Sequence, residues 1–250
     1  MMTLPWFFFV LVAIPVLGIP AVTLAVVYSG ARVSGASRRV AVTTVVVSAL
    51  GAAAWMVLLG WAAAAGTISR MTVLMPIAAA VWLLVALAWS RVPVVARALR
   101  APSMASALLA PQVLRVAGVI FVLAMLFGRL PLLFALPAGL GDIAVGIAAP
   151  FAMRRVARGE YRGTVWFHAL GLLDLVVALA LGALTGLSAA SQLIPVSPTS
   201  AELTLLPLLL IPTTAVPLAI ALHIVDLAAL RRLGTRRSPS TVDPRMTAQP

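Results

Sequence analysis

The chain has 250 residues, of which 63% are hydrophobic and 10% charged. Soluble domains carry about 25% charged residues, so this balance excludes a soluble enzyme and a disordered chain. There is no Cys, which removes disulfides, thiolate metal sites, c-type haem and cysteine nucleophiles. There is also no Lys, so a retinal Schiff base has no amine to form on. The formal net charge of +12 comes from arginines placed between apolar runs and not on one folded face. No nucleic-acid partner is therefore expected. The absence of Lys and Asn beside abundant Ala, Gly, Arg and Pro points to a GC-rich bacterial genome, and hence to a bacterial inner membrane.

In chain order, a window of about 19 residues marks seven membrane spans. They are Pro5–Ser29, Ala41–Ala65, Thr72–Ser90, Val113–Gly128, Leu132–Met153, Thr164–Gly186 and Leu206–Leu230. The expected fold is an all-α, polytopic membrane helical bundle of seven transmembrane helices over residues 1–237. Ser238–Pro250 is polar and lacks an apolar run, and reads as a disordered cytoplasmic tail. No Lys or Arg precedes the first run and no clear A-x-A site follows it, so the N-terminus does not read as a cleavable signal.

The first span opens with Trp6, Phe7, Phe8 and Phe9, an aromatic anchor, and holds Pro15 and Pro20. Spans two and three hold no acid or histidine and read as packing helices, with small surfaces at Gly51–Ala54 and Ala78–Ala80. Arg91–Gln112 reads either as an amphipathic surface helix or as a loop. Arg115 and Arg129 bracket the fourth span and are expected to snorkel to opposite interfaces. The segment Leu187–Leu205 reads as a solvated connection, with a lid as the alternative.

The loops alternate between arginine-rich and arginine-poor. Arg32, Arg38 and Arg39 fill the first loop, Arg91, Arg97 and Arg100 the third, and Arg154, Arg155, Arg158 and Arg162 the fifth. Arg70 and Arg129 stand alone in the second and fourth, and the tail again carries several. By the positive-inside rule this puts the N-terminus outside and the C-terminus in the cytoplasm. The lipid bilayer, with its anionic inner-leaflet lipids, is the expected partner.

The ionisable groups inside the spans carry the functional argument. A carboxylate at the centre of a spanning helix costs about 2.5–3.5 kcal/mol on insertion scales, so Asp142, in the middle of Leu132–Met153, calls for a reason. At 1.5 Å per residue, Asp142 and Asp174 both lie about 15 Å deep on consecutive helices. His168, Asp226 and His223 lie about 6, 6 and 10 Å from the cytoplasmic end on the same rise. His168, Gly171, Asp174, Ala178, Gly182 and Gly186 share one small, polar face, which suits helix contact better than lipid contact. His223 and Asp226 are three apart, and an imidazole bonded to its neighbouring carboxylate or to a backbone carbonyl is the plain reading of that pair. Asp142, Asp174, His168, His223 and Asp226 are the candidate substrate and proton site. Pro212, Thr213 and Pro217, in Pro212-Thr-Thr-Ala-Val-Pro217, are the candidate helix hinge, because each proline frees a carbonyl one turn back. No metal site and no cofactor are expected.

Leu136-Pro-Ala-Gly-Leu-Gly-Asp142, Gly171-Leu-Leu-Asp174-Leu and Pro212-Thr-Thr-Ala-Val-Pro217 with His223 together resemble a group of uncharacterised bacterial multi-pass membrane proteins. Gly139-Leu-Gly-Asp142 is also similar to the GxGD motif of intramembrane aspartyl proteases such as presenilin and signal peptide peptidase. That resemblance implies a catalytic role for Asp142. The family's second aspartate lies on the preceding helix, whereas Asp174 lies on the following one, and seven spans are predicted where those proteases have nine.

Three functions follow as expectations. The first is a small proton-linked transporter, with Asp142 and Asp174 as a midplane acid pair. The second is a structural or accessory membrane subunit. The third is an enzyme, either aspartyl proteolysis by the acid pair or haem-b ligation by His168 and His223.

Overall fold

The computed structural model describes residues 5–187 and 193–236. The expected tail 238–250 lies outside the described residues. Among those residues every regular element is helical: α1 (Trp6–Val33), α2 (Arg38–Ala64), a short α3 (Thr67–Arg70), α4 (Leu74–Trp89), α5 (Pro93–Arg100), α6 (Val119–Leu126), α7 (Leu132–Ala157), α8 (Tyr161–Leu184) and α9 (Val216–Arg236). Six helical stretches are long and apolar enough to cross a membrane, and seven if α4 and α5 count as one span broken by a 79° bend. An all-helical, membrane-spanning bundle is what composition required, since a backbone in lipid must satisfy its own hydrogen bonds.

The main departure is the fourth span. Hydropathy starts it at Val113, but the helical stretch runs from Pro102 to Leu126. Its first half is a tight 3-10 helix, Pro102–Met104 and Ala107–Gly118, which becomes α-helical only at Val119. Pro111 lies inside this stretch and offers no N–H. With three residues per turn, Leu109, Gln112, Arg115 and Gly118 stack along one edge, and all four are buried. The segment Arg91–Gln112 is thus divided. Pro93–Arg100 is a short helix whose Val95, Ala98 and Leu99 pack with Val27 and Ala31 of α1, and the remainder belongs to the fourth span.

The expected solvated connection holds only in part: residues 193–199 include no buried residue, whereas the Ser200–Thr204 turn is packed into the bundle. Ser200, Leu203 and Thr204 are buried, Thr185 Oγ1 and Ser200 Oγ share a 2.7 Å hydrogen bond, and Glu202 pairs with Arg129 at 2.9 Å. The aromatic entry of α1 is split: Trp6 is 77% exposed, whereas Phe8 is buried and meets Phe127 edge-on at 5.8 Å.

Candidate functional site

Arg115 is where the polar chain converges. Hydropathy placed it at the edge of a span, but it is 3% exposed, because the fourth span begins earlier and Arg115 lies in its interior. It does not snorkel. Its Nε donates to Oδ1 of Asp142 at 2.7 Å, and its Nη2 donates to Oδ2 of Asp174. Its Nη1 donates to the carbonyl of Gly171 at 3.4 Å and to Nε2 of His223 at 3.1 Å. All three guanidinium nitrogens are engaged, with partners on α7, α8 and α9. A planar fork fixed in this way is a task for Arg and not for Lys.

Two close approaches admit the guanidinium. A Cβ added at Gly141 would run into the Asp174 carboxylate, and one at Gly171 would lie 2.5 Å from His223 Nε2. Glycine is therefore required at both positions for reasons of space. On the other side, Gly146 lies against the backbone of Val116, where a Cβ would sit 2.5 Å from its nitrogen. This brings the 3-10 segment onto α7 closely enough for Arg115 to reach Asp142.

The histidines extend the network in one direction. Arg has no acceptor, so Nε2 of His223 must accept from it. With both rings neutral, His223 then carries its proton on Nδ1 and donates to Nδ1 of His168 at 3.0 Å. His168 in turn presents an Nε2–H that is buried and unpartnered among the described residues. His223 does not bond Asp226, contrary to the plain reading of that pair. Asp226 is itself buried, with both oxygens unpartnered among the described residues. The structure thus joins Asp142, Asp174, His168 and His223 through Arg115 and gives Asp226 no bond to them.

Of the hinge candidates, Pro212 and Thr213 lie in a π-helical turn, Ile211–Ala215, and Pro217 follows in the first turn of α9. Pro217 cannot donate to the carbonyl of Thr213 one turn back. Trp55 of α2 does so instead, through Nε1 at 3.1 Å. Thr213 Oγ1 caps the carbonyl of Leu209 at 2.6 Å. Trp55 also stacks on Trp82 of α4, with ring centroids 5.3 Å apart and planes 9° from parallel.

A cavity of about 290 Å³ lies between α4 and α8, and Asp142 is the single charged or hydrogen-bonding side chain in its wall. A smaller void of about 20 Å³ adjoins Arg115 and Asp142 from the side of Pro15 and Ile19, with room for roughly one water. Neither a metal nor haem fits the histidines. Their facing nitrogens are 3.0 Å apart, at hydrogen-bond distance, whereas two imidazoles keep about 3.3 Å on a tetrahedral zinc and about 4 Å when trans across a haem iron. Among the described residues no group of three or more His, Cys, Asp or Glu could hold a metal ion.

Sequence reasoning missed Arg115, Gln112 and Trp55. The signal for Arg115 was present: two carboxylates at one depth in lipid call for a countercharge, and Arg115 is the one cation inside the fourth apolar run. No curated protein and no solved structure matches the chain. Residues 70–231 match a family model described as a domain of unknown function, DUF8737, which brings no link to intramembrane proteases and no organism. That range is more than half of the chain and holds every residue of the Arg115 network, and the protein belongs to the DUF8737 family.

Proposed function

We propose that this protein is a small proton-linked carrier of a bacterial inner membrane, with its N-terminus outside and its C-terminus cytoplasmic. The coupling site is the Arg115–Asp142–Asp174 triad. The observation that carries this reading is a buried guanidinium shared by two carboxylates from different helices, whose formal charges sum to −1 when both are ionised. An unbalanced charge is expensive in a low-dielectric interior, so the site favours taking up one further positive charge, such as a proton. A proton on Asp142 weakens the tie between the fourth span and α7 while Asp174 and His223 keep hold of Arg115. The two protonation states therefore favour different packings of those helices, which is the differential a carrier needs. The His223–His168 chain gives a proton route towards the cytoplasmic side. The arginine-rich loops support the orientation.

The test is reconstitution into liposomes with a trapped pH dye. The wild type is expected to move protons when a pH gradient is imposed with candidate solutes outside. Asp142→Asn should abolish that flux while keeping its unfolding transition. Retained pH-linked flux in Asp142→Asn removes the reading. The structural alternative has its own observation, the saturation of Arg115 by three helices, and predicts loss of stability in these variants with no flux in the wild type. A proteolytic pair is disfavoured because Arg115 holds both carboxylates, where an aspartyl protease has them share one proton.

A further inference from the structure

The cavity between α4 and α8 has a wall chemistry that selects a ligand class. Its rim residues, Pro76 and Ala80 on α4 and Leu179 and Ala183 on α8, are exposed, so it opens sideways from the bundle. Its lining is otherwise apolar up to Asp142 at the inner end. The bond from Asp142 to Arg115 uses Oδ1, which leaves Oδ2 for a second partner. A hydrated inorganic cation needs several oxygen ligands, and this wall supplies one carboxylate. An anion meets a site with an excess negative charge. An uncharged apolar molecule leaves that charge unmatched. A cation with an apolar body matches both the wall and its end.

We infer that the cavity binds a hydrophobic organic monocation, such as an aryl- or alkylammonium, whose charge takes the place of a proton beside Asp142. This rests on the carrier reading and names its substrate class. Binding and proton release are then linked: the cation enters from the lipid side, its charge reaches Oδ2 of Asp142, and one proton leaves that carboxyl group. No covalent bond is made or broken apart from that O–H.

The experiment uses the full chain in lipid nanodiscs with benzyltrimethylammonium as probe and its uncharged isostere neopentylbenzene as control. The cation is expected to bind saturably, to release protons into unbuffered solution, and to be displaced as pH falls. Asp142→Asn should weaken it by about tenfold or more, while the isostere shows no such dependence. Ala79→Leu, which narrows the cavity and leaves the triad intact, should also weaken the cation, and it decides the matter if Asp142→Asn fails to fold. Equal binding of cation and isostere overturns the inference, since the cavity is then a seat for an acyl chain. So does unchanged cation binding in Asp142→Asn or Ala79→Leu. Saturable, pH-linked cation binding without any flux in liposomes keeps the site and removes the carrier. Proton-linked flux of other solutes without cation binding keeps the carrier and removes this inference.

Discussion

Two spans of nearly equal mean hydropathy, Arg38–Ala64 at 2.1 and Pro102–Leu126 at 2.0, differ fivefold in burial, at 11% and 56% of the window. On α2 only Ala41, Ala52 and Leu59 are buried, and its small-residue stretch Gly51–Ala54 is mostly open, with nothing close to Gly51. On the fourth span Gln112, Arg115 and Gly118 form a fully buried edge. Lipid is as apolar as Leu, so hydropathy drives a helix into the membrane but not against its neighbours. The inner position goes to the span whose polar groups find partners and whose partners have glycines where they must come close.

The comparison can be broken most severely at Arg115. Arg115→Leu leaves Asp142 and Asp174 facing each other without a countercharge and is expected to cost about 3–5 kcal/mol, read as a drop in the denaturant midpoint in detergent. Arg115→Lys should recover little of this, because an ammonium cannot fill a three-way fork. A smaller effect is expected at Gly141. Gly141→Ala drives a methyl group into the Asp174 carboxylate, and overpacking of this kind costs about 1–3 kcal/mol by thermal unfolding.

A double-mutant cycle sharpens the point. Asp142→Asn and Asp174→Asn share one guanidinium and should be non-additive by about 0.5–3 kcal/mol; additivity within error means that Arg115 does not couple them. Asp226→Leu removes a buried carboxyl group without a described partner and is expected to leave the unfolding midpoint unchanged or raise it. A large loss there would reveal a partner beyond the described residues. At the mild end, Leu50→Ala and Val57→Ala on the open face of α2, 64% and 71% exposed, should each stay within about 0.5 kcal/mol of wild type.

Much of this was readable before any coordinates. The polar face of α8 is inward as its spacing required: His168, Gly171 and Gly182 are buried, while Trp166, Leu170, Leu173 and Val176 are exposed. Asp142 and Asp174, each counted about ten residues into consecutive spans, are brought together on one guanidinium, that of Arg115. Pro217 does free the carbonyl of Thr213, although the donor that takes it, Trp55, lies 158 residues away and no local rule names it.

Composition alone made the chain a membrane-spanning helical bundle, because long apolar runs in lipid leave the backbone no partner but itself. It also located the acids and histidines that have no cheap place there. Tertiary structure decided the rest: where the fourth span begins, which helices lie inside, and that Arg115 is a buried hub and not an interfacial anchor. Those outcomes depend on hydrogen bonds and close backbone approaches between residues far apart in the chain, and hydropathy, which sums each segment by itself, carries no information about them.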